Sequence, residues 1–164
     1  MKRMFTAGAL AAAFALTGAV TAGADPATIS PDGYKGLHFG QTAAQGEATG
    51  LLTSKQVDGA CTRYYLKPSE GRENVGGGVW FDRDRGLVLL SGTERTHTPE
   101  GITMGSTLDQ VRQAYPGVRP LPPPEDYVYT VEIPGHPGLQ YRFAVDEQQR
   151  VRDYDVNADD LRAC

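Results

Sequence analysis

Polar and apolar residues alternate along several stretches of the chain, and a two-residue period is the mark of a half-buried strand. From Cys61 to Lys67, Thr62, Tyr64 and Leu66 fall on one side, while Cys61, Arg63 and Tyr65 fall on the other. Tyr127 to Ile133 gathers Tyr127, Tyr129, Val131 and Ile133 on one face, and Leu139 to Asp146 gathers Leu139, Tyr141, Phe143 and Val145. Val79-Trp-Phe-Asp82 and Arg150 to Val156 predict two further strands. Leu87 to Leu90 is apolar throughout, as a central strand would be. Turn-forming residues separate these runs at Arg83-Asp-Arg-Gly86, Pro134-Gly-His-Pro-Gly138 and Glu147-Gln-Gln149. Leu51 to Gly59 and Pro120-Leu-Pro-Pro-Pro124 read as connections, the second stiffened by its prolines.

A helical period occurs twice. Leu108, Val111 and Tyr115 recur at i, i+3 and i+7, and Pro116-Gly117 stops that helix. A shorter helix over Ala43 to Thr49 is weakened by Gly46 and stopped by Gly50. Both helices follow the same ten-residue pattern. Gly36-Leu-His-Phe-Gly-Gln-Thr-Ala-Ala-Gln45 and Gly101-Ile-Thr-Met-Gly-Ser-Thr-Leu-Asp-Gln110 share Gly36/Gly101, Gly40/Gly105, Thr42/Thr107 and Gln45/Gln110 at a constant offset of 65 residues. Thr42 and Thr107 suit an N-cap, because the hydroxyl accepts from a free N–H of the first turn. Gln45 and Gln110, three residues on, reach back to the cap's own N–H, which completes a capping box in each. The shared pattern predicts an internal duplication. The expected fold is therefore α+β: two tandem helix–three-strand antiparallel repeats, their sheets forming a shared surface with the helices on the other face. The expected boundaries are a flexible lead-in at 25–33, repeat one at 34–98 and repeat two at 99–164.

The first 24 residues read differently. Met1-Lys-Arg precedes an apolar run from Met4 to Val20, and Ala22-Gly-Ala24 supplies small residues for cleavage. This predicts a secretory signal peptide at 1–24, too short in its apolar part for a membrane span. Leu16-Thr-Gly-Ala19 resembles a lipobox with Ala in the place of the lipidated Cys, so a released, extracellular protein is expected. Of 16 basic residues, removal of Lys2 and Arg3 leaves 14 against 20 acidic ones, a mature charge near −6. An acidic exported protein is ill-suited to nucleic acid or an anionic membrane. The two cysteines, Cys61 and Cys164, are an even pair and predict one disulfide in an oxidising compartment.

Catalytic signatures are sparse. His38 lies between apolar anchors, His97 in a linker and His136 in a Pro-Gly turn, and none has metal-ligand spacing to another His or a Cys. Asp82/Asp84, Asp153/Asp155 and Asp159/Asp160 are paired carboxylates of the kind that serve glycoside hydrolysis, but strand ends and outer faces favour a solvated edge. Gly76-Gly-Gly78 lacks the Lys-Ser/Thr of a phosphate loop and reads as flexible backbone. No metal and no cofactor is expected. Aromatic residues give the better clue. With Val79 and Phe81 inward, Trp80 points out, and with Tyr64 and Leu66 inward, Arg63 and Tyr65 point out beside it. Arg142 takes the place of Trp80 in the second half. Trp, Tyr and Arg are enriched at binding hot spots.

Phe39-Gly-Gln-Thr42 and Met104-Gly-Ser-Thr107, each with its following Gln and strands, resemble the β-lactamase inhibitory protein family and the small outer-membrane lipoprotein modules of the SmpA/OmlA type. The resemblance covers about ten residues per repeat. It implies helices on one sheet face and a concave, aromatic-rich surface that binds a protein. The reading is a secreted, monomeric, non-catalytic binder of a protein or cell-envelope partner through Arg63, Tyr65, Trp80 and Arg142, with enzyme inhibition as one form. The alternative is a small extracellular hydrolase using paired carboxylates. A structural wall-associated protein is the third possibility.

Overall fold

The computed structural model describes residues 25, 27–72, 77–158, 160 and 164. The expected signal peptide lies outside the described residues. The elements run α1 (Ala43–Ala48), β1 (Leu52–Asp58), β2 (Cys61–Leu66), β3 (Val79–Asp82), β4 (Gly86–Ser91), α2 (Leu108–Ala114), β5 (Arg119–Pro120), β6 (Val128–Glu132), β7 (Leu139–Val145) and β8 (Val151–Ala158). All eight strands belong to one antiparallel sheet in the order β1-β2-β3-β4-β8-β7-β6-β5.

This corrects the expected fold of two helix–three-strand repeats. The structure is one sheet with two short helices, and each helix is followed by four strands. Two segments whose sequence reads as connections are strands. β1 is an edge strand with mostly exposed side chains, so it carries little buried apolar period. β5 is two residues long and contains Pro120, which an edge tolerates because one side of it needs no N–H. The halves fuse because β4 and β8 pair at the centre, with Leu89 opposite Asn157, Leu90 opposite Val156 and Ser91 opposite Asp155. β4 is buried along its whole length, as its unbroken apolar run requires.

The core lies between one sheet face and the two helices. Tyr64, Val79, Phe81, Leu90, Val156, Tyr141 and Phe143 point to that side from successive strands. Both helices begin on completed capping boxes. Gln45 N donates to Thr42 Oγ1 at 3.3 Å, and Thr42 N donates to Gln45 Oε1 at 2.8 Å. Thr107 and Gln110 repeat this at 3.2 and 2.7 Å. In α1 the residue facing the sheet is Gly46. A Cβ there would stand 2.4 Å from Phe81 Cζ, so the glycine that weakens the helix also lets it sit on the core. In α2, Leu108 and Val111 are buried, and Tyr115 packs 5.1 Å from the Tyr141 ring and 5.3 Å from Phe143. Residues 27–33, expected to be flexible, are held instead. Thr28 bridges His97, Ile29 N donates to His97 O at 2.9 Å, and Ile29 is 0% exposed in the core. A single isoleucine in a Pro- and Asp-rich stretch gives no period, which hides such an anchor.

Cys61 and Cys164 form a disulfide across 103 residues, tying the chain's last residue to the start of β2. No helix among the described residues is long and apolar enough to cross a membrane.

Candidate functional site

The sheet face turned away from the helices carries the candidate residues. Arg63 on β2 stands directly opposite Trp80 on β3, and its guanidinium carbon lies 4.3 Å from the indole centroid. Strand pairing thus sets up a cation–π stack, an attraction between the cation and the negative ring face. Tyr65 follows two residues after Arg63 on the same face, opposite Thr53 of β1. Trp80 is half-buried, and its Nε1 has no hydrogen-bond partner among the described residues. The indole folds over Gly78. A Cβ at Gly78 would meet Trp80 Nε1 at 3.0 Å and Tyr64 O at 2.9 Å, and its φ is +133°. Gly78 is therefore a seat for Trp80 and not spare flexible backbone.

Arg142 shares this face but not this cluster. It is three strands from Trp80 in the sheet order, a separation of about 15 Å at ordinary strand spacing. Arg142 stands opposite Asp155, and Nη1 lies 2.9 Å from Asp155 Oδ2. Asp155 Oδ1 accepts from Asn157 Nδ2, and Asn157 Oδ1 accepts from Gln140 Nε2 at 3.0 Å. The face is thus split: a cation on an aromatic ring over β2 and β3, and a polar ladder over β7 and β8.

That ladder corrects the expectation of solvated carboxylates for one pair. Asp153 and Asp155 lie within β8, 7% and 1% exposed. Burial raises the Asp155 carboxyl, against the opposing pull of Arg142. Burial lowers and Asp155 raises the Arg142 pKa, and the attraction wins, so the guanidinium stays charged. Asp153 is pushed up to about 6, first by burial and then by the charge of Asp155, and its Oδ1 has no hydrogen-bond partner among the described residues. The signal was present in Asp153-Tyr-Asp-Val-Asn157, polar at every second position. That alternation marks a polar face without saying what covers it, and the expectation of a solvated edge fails because β8 lies between β4 and β7.

Asp153 should make stability fall as pH rises. A carboxyl whose folded pKa exceeds its unfolded value of 3.8 contributes fully below that value and loses the contribution as pH passes about 6. A rise from 3.8 to about 6 corresponds to roughly 3 kcal/mol. Asp153→Asn should therefore gain about 2–3 kcal/mol on the wild type between pH 4 and pH 7, read by urea unfolding at both values. A difference that does not change with pH would show that Asp153 titrates normally.

The remaining candidates stay apart. Asp82 Oδ1 accepts from the N–H groups of Asp84 and Arg85 at 2.9 Å, which closes the β3–β4 turn and lowers the Asp82 pKa. Of Asp159/Asp160, the first lies outside the described residues, and Asp160 O accepts from Arg85 Nη1 at 2.6 Å. His38 Nδ1 lies 2.6 Å from Asp32 O, while His97 contacts Asp25 at 3.3 Å, so neither joins a carboxylate pair. Cys61, Cys164 and Asp82 lie together, but the sulfurs are bonded to each other and offer no thiolate to a metal.

Compared with known proteins, the chain matches no family model and no curated protein. One solved structure, of the uncharacterized protein yfeY from Escherichia coli, is 10% identical, with 80% of this chain and 99% of that chain covered and a TM-score of 0.49.

Proposed function

We propose that this is an exported, non-catalytic binding protein that recognises a protein or cell-envelope partner through the outer sheet face at Arg63, Tyr65 and Trp80. The observation that carries the reading is the half-buried Arg63–Trp80 stack, 4.3 Å from guanidinium to ring, on the face turned away from the helices. A rigid aromatic with a stacked arginine is the chemistry of an interface anchor, since it offers large area at small entropic cost. Arg142 lends charge at the margin, with its side chain 34% exposed beside Asp155. Inhibition of an exported enzyme is one form of this function. Export rests on the N-terminal leader pattern and accords with the disulfide.

The hydrolase reading has one observation in its favour, the raised pKa of Asp153 beside Asp155. It is weakened by access, because both carboxyls are buried and Asp155 is engaged by Arg142 and Asn157. A general acid must reach its substrate's proton.

The test is a pull-down from culture fluid and envelope fractions with the segment 25–164, beside Trp80→Ala and Arg63→Ala copies checked for an unchanged fold. A partner held by the parent and lost or at least tenfold weaker in both variants is expected. Capture of the same proteins by all three would remove the Trp80 surface from consideration.

A further inference from the structure

Cys61 stands between two carboxylates. The register puts it opposite Asp58 on β1 and opposite Asp82 on β3, so the three side chains leave the sheet on one face. A carboxylate oxygen of Asp82 and the sulfurs of Cys61 and Cys164 all lie within 4.8 Å of one another. Asp58 is exposed, and as a direct cross-strand neighbour its Cβ lies about 5 Å from that of Cys61.

Asp82 is buried yet keeps its charge. Its Oδ1 accepts from the N–H groups of Arg85 and Asp84, and these bonds hold its carboxyl below the usual range. The neighbouring cations are engaged elsewhere. Arg85 Nη2 lies 3.5 Å from Asp82 Oδ2 while Nη1 donates to Asp160 O, and Arg83 Nη2 donates to Gly59 O. Both cysteines are half-buried, so burial alone does not seal the bridge.

A disulfide is reduced when a thiolate attacks one of its sulfurs. A bond forms between the reagent sulfur and one cysteine, the bond between Cys61 and Cys164 breaks, and its electron pair leaves on the other cysteine as a thiolate. A second reagent thiolate then attacks the mixed disulfide, departs as the oxidised reagent and leaves the second cysteine as a thiolate. Both cysteines draw their protons from solvent. Negative charge is shared among three sulfurs at each attack, so a fixed carboxylate this close opposes the step. It opposes most a reagent that brings further negative charge.

We propose that Asp82, backed by Asp58, guards the Cys61–Cys164 bridge by charge, so that anionic thiols open it slowly and thiols carrying a cationic group are the class of reductant that opens it. The guard is independent of the reading of Trp80.

The test compares glutathione, an anionic thiol, with cysteamine, a cationic one, on the native protein at low salt. Freed cysteines are trapped with iodoacetamide and counted by mass, and each rate is divided by the thiolate concentration of the reagent. Cysteamine is expected to be faster by about tenfold. Asp82→Asn keeps a carbonyl for the two N–H groups and should narrow the gap to about twofold. Asp58→Asn, at an exposed position, should narrow it by about a factor of two. Salt at about 1 M, where the screening length falls to about 3 Å, should narrow it in the wild type as well. A merely loosened turn would speed both reagents alike and leave their ratio unmoved. The proposal is overturned if the wild-type ratio is near one, or if Asp82→Asn leaves it unchanged. Should Asp82→Asn fail to fold, an unchanged ratio in both Asp58→Asn and high salt overturns it instead.

Discussion

Replacing Cys61 and Cys164 together by serine is expected to lower the unfolding free energy by about 4–5 kcal/mol. The disulfide joins residues 103 apart, and the closed loop contains α2 and every strand except β1. A crosslink over so much of the chain removes many extended conformations from the unfolded state, and that loss scales with the logarithm of loop length. In the folded state it holds the end of the chain against β2, beside the turn where Arg85 bonds Asp160 O. At a urea dependence of about 2 kcal/mol per molar, the midpoint should fall by about 2 M. Dithiothreitol should bring the wild type to the same midpoint and leave the double variant unmoved. If reduced and oxidised wild type unfold together, the bridge contributes nothing, and the sheet alone supports the fold.

Replacing Arg142 by leucine is expected to cost about 3–5 kcal/mol at neutral pH. Its guanidinium sits 2.9 Å from an Asp155 carboxylate that is 1% exposed. Without the cation, Asp155 keeps only its bond from Asn157, and Asp153 stands on the same face two residues away. A buried carboxylate left without its counter-charge bears its full desolvation cost. The loss should shrink as pH falls, because burial already raises the Asp155 pKa and protonation then removes the isolated charge. Adding Asp155→Leu to Arg142→Leu should recover most of the stability, since it removes the orphaned charge as well. The coupling is read from a double-mutant cycle. A loss below about 1 kcal/mol for Arg142→Leu would place the pair in the class of solvated surface bridges.

Arg142 maintains the fold, so its substitution tests the sheet before it tests recognition. Arg63 and Trp80 separate the two questions better, since their stack depends on the register of β2 and β3 and on the glycine at Gly78.

The sequence by itself determined the features that depend on near neighbours. Thr42 with Gln45, and Thr107 with Gln110, form capping boxes because all the atoms needed lie within four residues. The inward set Tyr64, Phe81, Tyr141 and Phe143 follows from the two-residue period, and so does the outward placing of Arg63, Tyr65 and Trp80. The unbroken apolar run of β4 marked it as central. Only the tertiary structure decided how the halves combine. The pairing of Leu90 with Val156 joins residues far apart in the chain, and neither strand alone names its partner. That pairing made β8 an interior strand. It turned Asp153 and Asp155 from apparent edge charges into a buried ladder with Arg142. It likewise left β1 and β5 as edges, where exposure erases the apolar alternation by which strands are read. Periodicity records which side of an element is dry, whereas the identity of what lies alongside it depends on contacts that the local pattern does not encode.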